Sequence, residues 1–150
     1  MYGKKNWQQN YYEVKNPAKY NGDVKNVFYR SSWEHDAFKF CDNNPNVLEW
    51  SSEEIVIRYA LPTESGGVRP AKYYPDLYMK YRNASGKICQ ELIEIKPKKE
   101  TRPSRAKNPK TKMMENAVYQ KNMLKWEAAR NWCKQNGMTF RVITENDQFN

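Results

Sequence analysis

Histidine is nearly absent from this 150-residue chain, with His35 standing alone. That leaves little room for a His-rich metal centre or a Ser-His-Asp triad. Cysteine is scarce as well. Cys41, Cys89 and Cys133 lie far apart, cannot all pair and show no CxxC spacing, which argues against a disulfide scaffold or a zinc knuckle. No run of about 18 apolar residues occurs, so no transmembrane helix and no membrane partner are expected. Met1 to Trp7 holds no apolar stretch of the kind a secretory signal needs, and a cytosolic setting is the economical expectation. Apolar residues make up only 39% of the chain and the mean hydropathy is -1.07, so part of it is expected to stay unpacked. The length suits one domain with a single core. Acids are the other shortage. Seventeen Asp and Glu face 26 Lys and Arg, a net charge of +9. Such an excess speaks about partners rather than fold, and polyanions such as DNA or RNA are the natural ones. An inert basic surface is the ordinary alternative.

Residues 1–28 read as a basic aromatic arm ahead of a domain spanning 29–150. Trp7, Tyr11, Tyr12 and Tyr20 alternate there with Lys4, Lys5, Lys15, Lys19 and Lys25. The rings could stack on bases while the lysines neutralise phosphates, or they could pack across the domain. From Tyr29 to about Asn43 the period is helical: Trp33, Ala37 and Phe40, widened by Phe38 and Cys41. Ser31 and Glu34 have capping-box spacing, and Asn43-Asn44-Pro45-Asn46 stops the helix. Strands are expected at Glu54 to Leu61, about Ala71 to Tyr81 and about Lys87 to Lys96, the last two joined by a tight turn at 83–86 as an antiparallel hairpin. Residues 97–112 change character: Lys98, Lys99, Arg102, Arg105, Lys107, Lys110 and Lys112 stand against Glu100 alone, with Pro97, Pro103 and Pro109 among them. A mobile basic loop is expected there, holding the DNA backbone. A helix over Met113 to Gln135 follows, with Ala117, Leu124, Ala128 and Trp132 as its stripe, Trp126 as a further core ring and Gly137 as its stop. A short strand runs from Thr139 to Thr144. This order of helix, three strands, helix and strand describes an α/β fold with a mixed sheet.

Chemistry concentrates in Tyr74-Pro75-Asp76-Leu77-Tyr78 and in Glu94-Ile95-Lys96, eighteen positions after Asp76. Side chains alternate along a strand, so Glu94 and Lys96 share one face while Ile93 and Ile95 fill the other. Hairpin pairing then brings Asp76 beside Glu94 and Lys96. Two carboxylates so close are costly unless a divalent cation neutralises them. Hard oxygen ligands suit Mg²⁺ or Mn²⁺, and Asp76, Glu94 and the Ile95 carbonyl are the expected ligands, with Glu34 completing the acid cluster directly or through water. Phosphodiester hydrolysis is the chemistry such a site supports. Lys96 could orient or deprotonate the attacking water or stabilise the developing charge. Gln120 and Lys121 are weaker candidates for touching water or phosphate, and Lys112 and Tyr119 stay undecided. Each assignment has an ordinary alternative. Glu34 could be only a capping residue, Asp76 could end a turn, and Glu94 with Lys96 could be a surface ion pair of little consequence.

Together these residues resemble the PD-(D/E)xK nuclease superfamily, with Glu34 as the leading-helix acid, Pro75-Asp76 as the "PD" and Glu94-Ile95-Lys96 as the "ExK". The resemblance extends from about Tyr29 to Glu145. Tyr29-Arg30-Ser31-Ser32-Trp33-Glu34, Val47-Leu48-Glu49-Trp50, Tyr74-Pro75-Asp76, Leu92-Ile93-Glu94-Ile95-Lys96-Pro97 and Phe140-Arg141-Val142-Ile143-Thr144-Glu145 look like the endonuclease subunits of Tn7-type transposases. In length and motif order the chain also resembles the head-completion nucleases of T-even-type tailed bacteriophages. The resemblance implies a restriction-endonuclease-like mixed β-sheet core flanked by helices. It further implies a Mg²⁺-dependent endo- and exonuclease with little sequence preference, acting on packaged double-stranded DNA beside portal or neck proteins, in the host cytoplasm or on the virion. A structural completion factor that binds DNA without cutting it, or a strand-nicking transposase subunit, are the alternatives. The Pro/Lys-rich insert after Lys96 departs from the wider superfamily and leaves Gln120 and Lys121 unplaced.

Overall fold

The computed structural model describes residues 10–144 and Asp147, so Trp7, Lys4, Lys5 and Glu145 lie outside the described residues. Two short strands, β1 (Asn10–Tyr11) and β2 (Phe28–Tyr29), precede α1 (Ser32–Asn43). Then come β3 (Val47–Ser51), β4 (Ile57–Pro62), β5 (Val68–Tyr73), β6 (Leu77–Arg82) and β7 (Ile88–Ile95), followed by α2 (Pro109–Gln135) and β8 (Thr139–Ile143). The main sheet has the order β3-β6-β7-β8. Its first two pairings are antiparallel and β7 with β8 is parallel, the return that the crossover helix α2 makes possible. Strands β4 and β5 form a separate two-stranded sheet, and β1 pairs with β2. The chain is therefore an α/β protein with a mixed sheet and flanking helices, consistent with a restriction-endonuclease-like core.

The strands differ from expectation at two places. The single strand read over 71–81 is two strands, broken at Tyr74-Pro75-Asp76, because Pro75 has no N–H to give a ladder. β3 was not expected as a strand; a register shift between Val47 and Glu49 disturbs the alternation that would have marked it.

The main sheet separates two cores. On one side α1 and the amino-terminal segment cover it, with Phe38, Trp50, Leu77 and Ile93 fully buried. On the other lie α2 and the β4–β5 hairpin, with Ile57, Tyr73, Leu92, Trp126 and Cys133. Each large apolar side chain so buried stabilises the fold by about 1.5–3 kcal/mol. Strand β7 feeds both: Ile93 and Ile95 enter the first core, Leu92 the second. Alternation therefore turns Glu94 toward the α2 side.

Of the two roles open to the amino-terminal rings, packing holds for Tyr12 and Tyr20, both buried in the first core, whereas Tyr11 is exposed. Asp42 anchors this segment. It is completely buried and accepts hydrogen bonds from the Tyr12 hydroxyl (2.8 Å), Lys15 N (2.7 Å) and Asn16 N (2.9 Å), which offsets the cost of burying its charge.

Helix α2 begins at Pro109, earlier than expected, with the Asn108 side chain accepting from Lys110 N and Thr111 N. Lys110 and Lys112 therefore sit on a helix rather than a loop. Its buried face is Asn122, Trp126, Ala129 and Cys133, rotated by about one residue from the expected stripe; Ala117 is exposed and Trp132 only half-buried. A polar residue on that face disguised it: the Asn122 amide donates to Glu100 O at 3.4 Å. The rest of the basic segment is tied down rather than mobile. Ser104 N donates to Asn116 Oδ1 and Ser104 Oγ to Glu115 Oε1, each at 2.7 Å, and Ala106 N donates to Ser104 Oγ at 3.1 Å.

Candidate active site

The β6–β7 register pairs Leu77 with Ile93, so Asp76, just ahead of β6, comes level with Glu94. Asp76 Oδ2 accepts a hydrogen bond from Ile95 N at 2.7 Å. Glu94 is buried, 3% exposed. Its Oε1 accepts from the Tyr73 hydroxyl at 2.7 Å and its Oε2 lies 3.4 Å from Lys96 Nζ. This is not a surface ion pair: the Glu94 side chain is 4% exposed and that of Lys96 25%.

Burial raises the proton affinity of Asp76 well above the ordinary carboxylate range. The charge of Glu94 and, more weakly, that of Glu34 push the same way, while the Ile95 N–H and Lys96 oppose them. Burial also acts on Lys96, lowering its hold on the proton, but Glu94, Asp76 and Glu100 together outweigh it and raise the ammonium above its usual value. A Lys96 so held is charged, which favours orienting and electrostatic work over proton abstraction.

Of the two roles the sequence left open to Glu34, its hydrogen bonds show the helix-start one. Its N–H donates to Ser31 Oγ at 3.2 Å, one half of a capping box, while its Oε1 accepts from Arg30 N at 3.1 Å, one residue before the cap. Its carboxyl is also raised, by burial first and then, against Arg30, by Glu53 and Glu94. Glu34 belongs to α1, on the opposite side of the sheet from Tyr73 and α2, and acts on Asp76 only through its charge. Among the described residues no group of three or more His, Cys, Asp or Glu side chains is close enough to hold a metal ion. Asp76 and Glu94, with the Ile95 peptide, are thus the compact part of the cluster.

Gln120 and Lys121 are both exposed, and neither hydrogen-bonds to the acids. The α2 residue beside them is Lys125. Its Nζ lies 5.4 Å over the Tyr73 ring, and burial, then the charges of Lys96 and Lys121, lower its proton affinity. Tyr73 and Lys125 were absent from the sequence reading. Nothing in the local pattern marks Tyr73, since its hydroxyl meets Glu94 only because the chain breaks at Pro75 and turns the hairpin onto α2. A helical stripe set correctly through Trp126 and Ala129 would have brought Lys125 forward. Arg30 was missed as well: its Nη1 bonds Glu53 Oε2 at 2.7 Å, and its charge is felt by Glu34. Of the basic segment, Lys98, Lys99, Arg105, Lys107, Lys110 and Lys112 are exposed and Arg102 is half-buried.

The model of the TnsA-like endonuclease N-terminal family matches residues 44–145. The chain belongs to that family. Asp76, Glu94 and Lys96 all fall inside the part matched in this TnsA-like chain, whereas Glu34 precedes it. The TnsA-like chain is also similar to the head completion nuclease of Enterobacteria phage T4, at 38% identity over 137 residues, 87% of each chain. Both resemblances seen in the motifs are thus met. No solved structure matches the chain.

Proposed function

We propose that this chain is a divalent-metal-dependent DNA nuclease with little sequence preference, able to cut within and from the ends of a strand, and that it serves in completing phage heads. The last element follows what the T4 relative is named for. The observation that carries the reading is the buried Glu94 and the half-buried Asp76 with the Lys96 ammonium beside them.

The donor set suits the implied cation. Two carboxylates and a main-chain carbonyl are hard oxygens, and Mg²⁺ is commonly held by one or two carboxylates plus waters and substrate phosphate. Asp76 Oδ2 already receives the Ile95 N–H, while its other oxygen takes no hydrogen bond among the described residues. Asp76, Glu94 and the Ile95 carbonyl would hold Mg²⁺ or Mn²⁺, with Glu34 reaching it through water. When bound, the ion supplies Lewis-acid polarisation of the phosphate and a more acidic water. The protein's own residues do the rest. Tyr73 fixes the Glu94 carboxylate by donating to Oε1, which orients a ligand as such outer partners do. Lys96, held charged, faces the developing negative charge of the phosphate and steers the nucleophile. Duplex DNA is gripped through its phosphates by Lys98, Lys99, Arg102, Arg105, Lys107, Lys110 and Lys112, and portal or neck proteins are the proposed assembly partners.

Purified protein incubated with supercoiled plasmid and Mg²⁺ tests this. Nicked and linear products are expected, abolished by EDTA and by Asp76→Ala or Lys96→Ala. Equal cleavage by the variants would mean a contaminating nuclease and would overturn the assignment.

A further inference from the structure

The β4–β5 hairpin carries a second concentration of positive charge that the site does not use. Arg58, Arg69 and Lys72 stand on it against one acid, Glu64 at its tip. With Lys121 from α2 they line a groove of about 500 Å³ that has no acidic residue in its wall. All four side chains belong to exposed residues. Among the described residues none of the four forms a salt bridge.

The strand register sharpens the point. Arg58 lies directly opposite Lys72 across the antiparallel pair, and like charges so placed destabilise a sheet. A two-stranded sheet has little stability to spare. This one is held by its other face, where Ile57 and Tyr73 pack with Trp126 and Ala129. Cations concentrated in a groove without acids attract a polyanion, whose phosphates supply the missing negative charge. The groove's position fits the same partner. Lys72 precedes Tyr73, whose hydroxyl is bonded to Glu94, and Lys121 lies one helical turn before Lys125, which sits over the Tyr73 ring. The groove is therefore built on the same hairpin and helix that carry Tyr73 and Lys125, although its wall includes neither acid.

We infer that the β4–β5 hairpin and Lys121 form a binding groove for the phosphate backbone of duplex DNA, separate from the basic segment at 98–112. It rests on the proposed function only in taking DNA as the partner. The groove holds one part of the duplex and the basic segment another.

Fluorescence anisotropy with a labelled duplex of about 20 base pairs, in EDTA so that nothing is cut, tests the groove without requiring catalysis. The fourfold variant Arg58→Gln, Arg69→Gln, Lys72→Gln, Lys121→Gln is compared with the unaltered chain across salt concentrations. Each lost phosphate contact flattens the slope of log affinity on log salt by about 0.9, so a total change of about 3 to 4 is expected. Affinity at about 0.1 M salt falls at least about tenfold on the same footing. Lys72→Gln alone relieves the Arg58 repulsion, so its melting temperature should hold or rise while its binding weakens; a purely structural lysine would lose both together. An unchanged slope and affinity in the fourfold variant overturn the groove. If that happens in a protein that still cleaves plasmid, the nuclease reading stands without it. If instead binding is lost from a chain that never cleaves, the groove stands and the nuclease reading falls.

Discussion

Asp76 is placed where folding works against its charge. Burial and then the Glu94 and Glu34 charges hold its carboxyl above the ordinary value of 3.8, so without a cation the folded chain binds that proton more tightly than the unfolded chain does. Stability from this group is complete below the ordinary value and is lost as pH rises through the folded one. Asp76→Asn keeps an oxygen for the Ile95 N–H and carries no charge at any of these pH values. In EDTA at neutral pH the variant should therefore melt higher than the parent, by at least about 2 °C, the shift that 1 kcal/mol gives in a chain of this size. The gain should vanish as pH falls toward 4, and plasmid cleavage should be lost throughout. A lower melting temperature for the variant at neutral pH would show that Asp76 is not under electrostatic strain. The adjacency of positions 76, 94 and 96 was legible because a short hairpin and period-two alternation are local rules. Tyr73 and Lys125 were not, since their approach depends on how a separate hairpin and a distant helix dock.

Among the elements, legibility followed how far each one's pattern reported its own burial. Helix α1 shows its apolar stripe and its cap, and its observed start at Ser32 follows directly from Ser31. Strand β3 hides behind a register shift, and α2 hides its buried face behind Asn122. The segment before α2 was misjudged because proline and lysine content describes the loss of regular structure, not the loss of order. Ser104 is what orders it. One hydroxyl donates to Glu115 Oε1 and accepts from Ala106 N, and the neighbouring N–H donates to Asn116. Ser104→Ala removes the two bonds made by the hydroxyl, at a net cost of about 0.5–1.5 kcal/mol for each. Amide hydrogen exchange across 98–108 should quicken several-fold while the core strands keep their protection. Unchanged exchange in that segment would mean that the proline residues alone hold its shape.

For the molecule as a whole, the net charge of +9 includes a dense cationic stretch at 98–112, and the way that stretch is presented predicts how DNA is chosen. The basic segment presents its cations from a short 3-10 turn at Lys98–Thr101, from the irregular link through Arg102, Arg105 and Lys107, and from the first turn of α2. Only Lys110 and Lys112 of the seven cations stand on a helix, too few for a recognition helix that meets base edges. Contacts of this kind position a duplex without reading it. Substituting Lys98, Lys99, Arg105 and Lys107 by Gln should weaken binding by a similar factor for duplexes of unrelated sequence and flatten the salt dependence, as counterion release requires. Competition between GC-rich and AT-rich duplexes measures it, and the ratio of their affinities should be the same before and after substitution. If the loss falls on one sequence class, the segment reads DNA shape or bases. The acids would then be delivered to chosen sites instead of to any phosphate within reach.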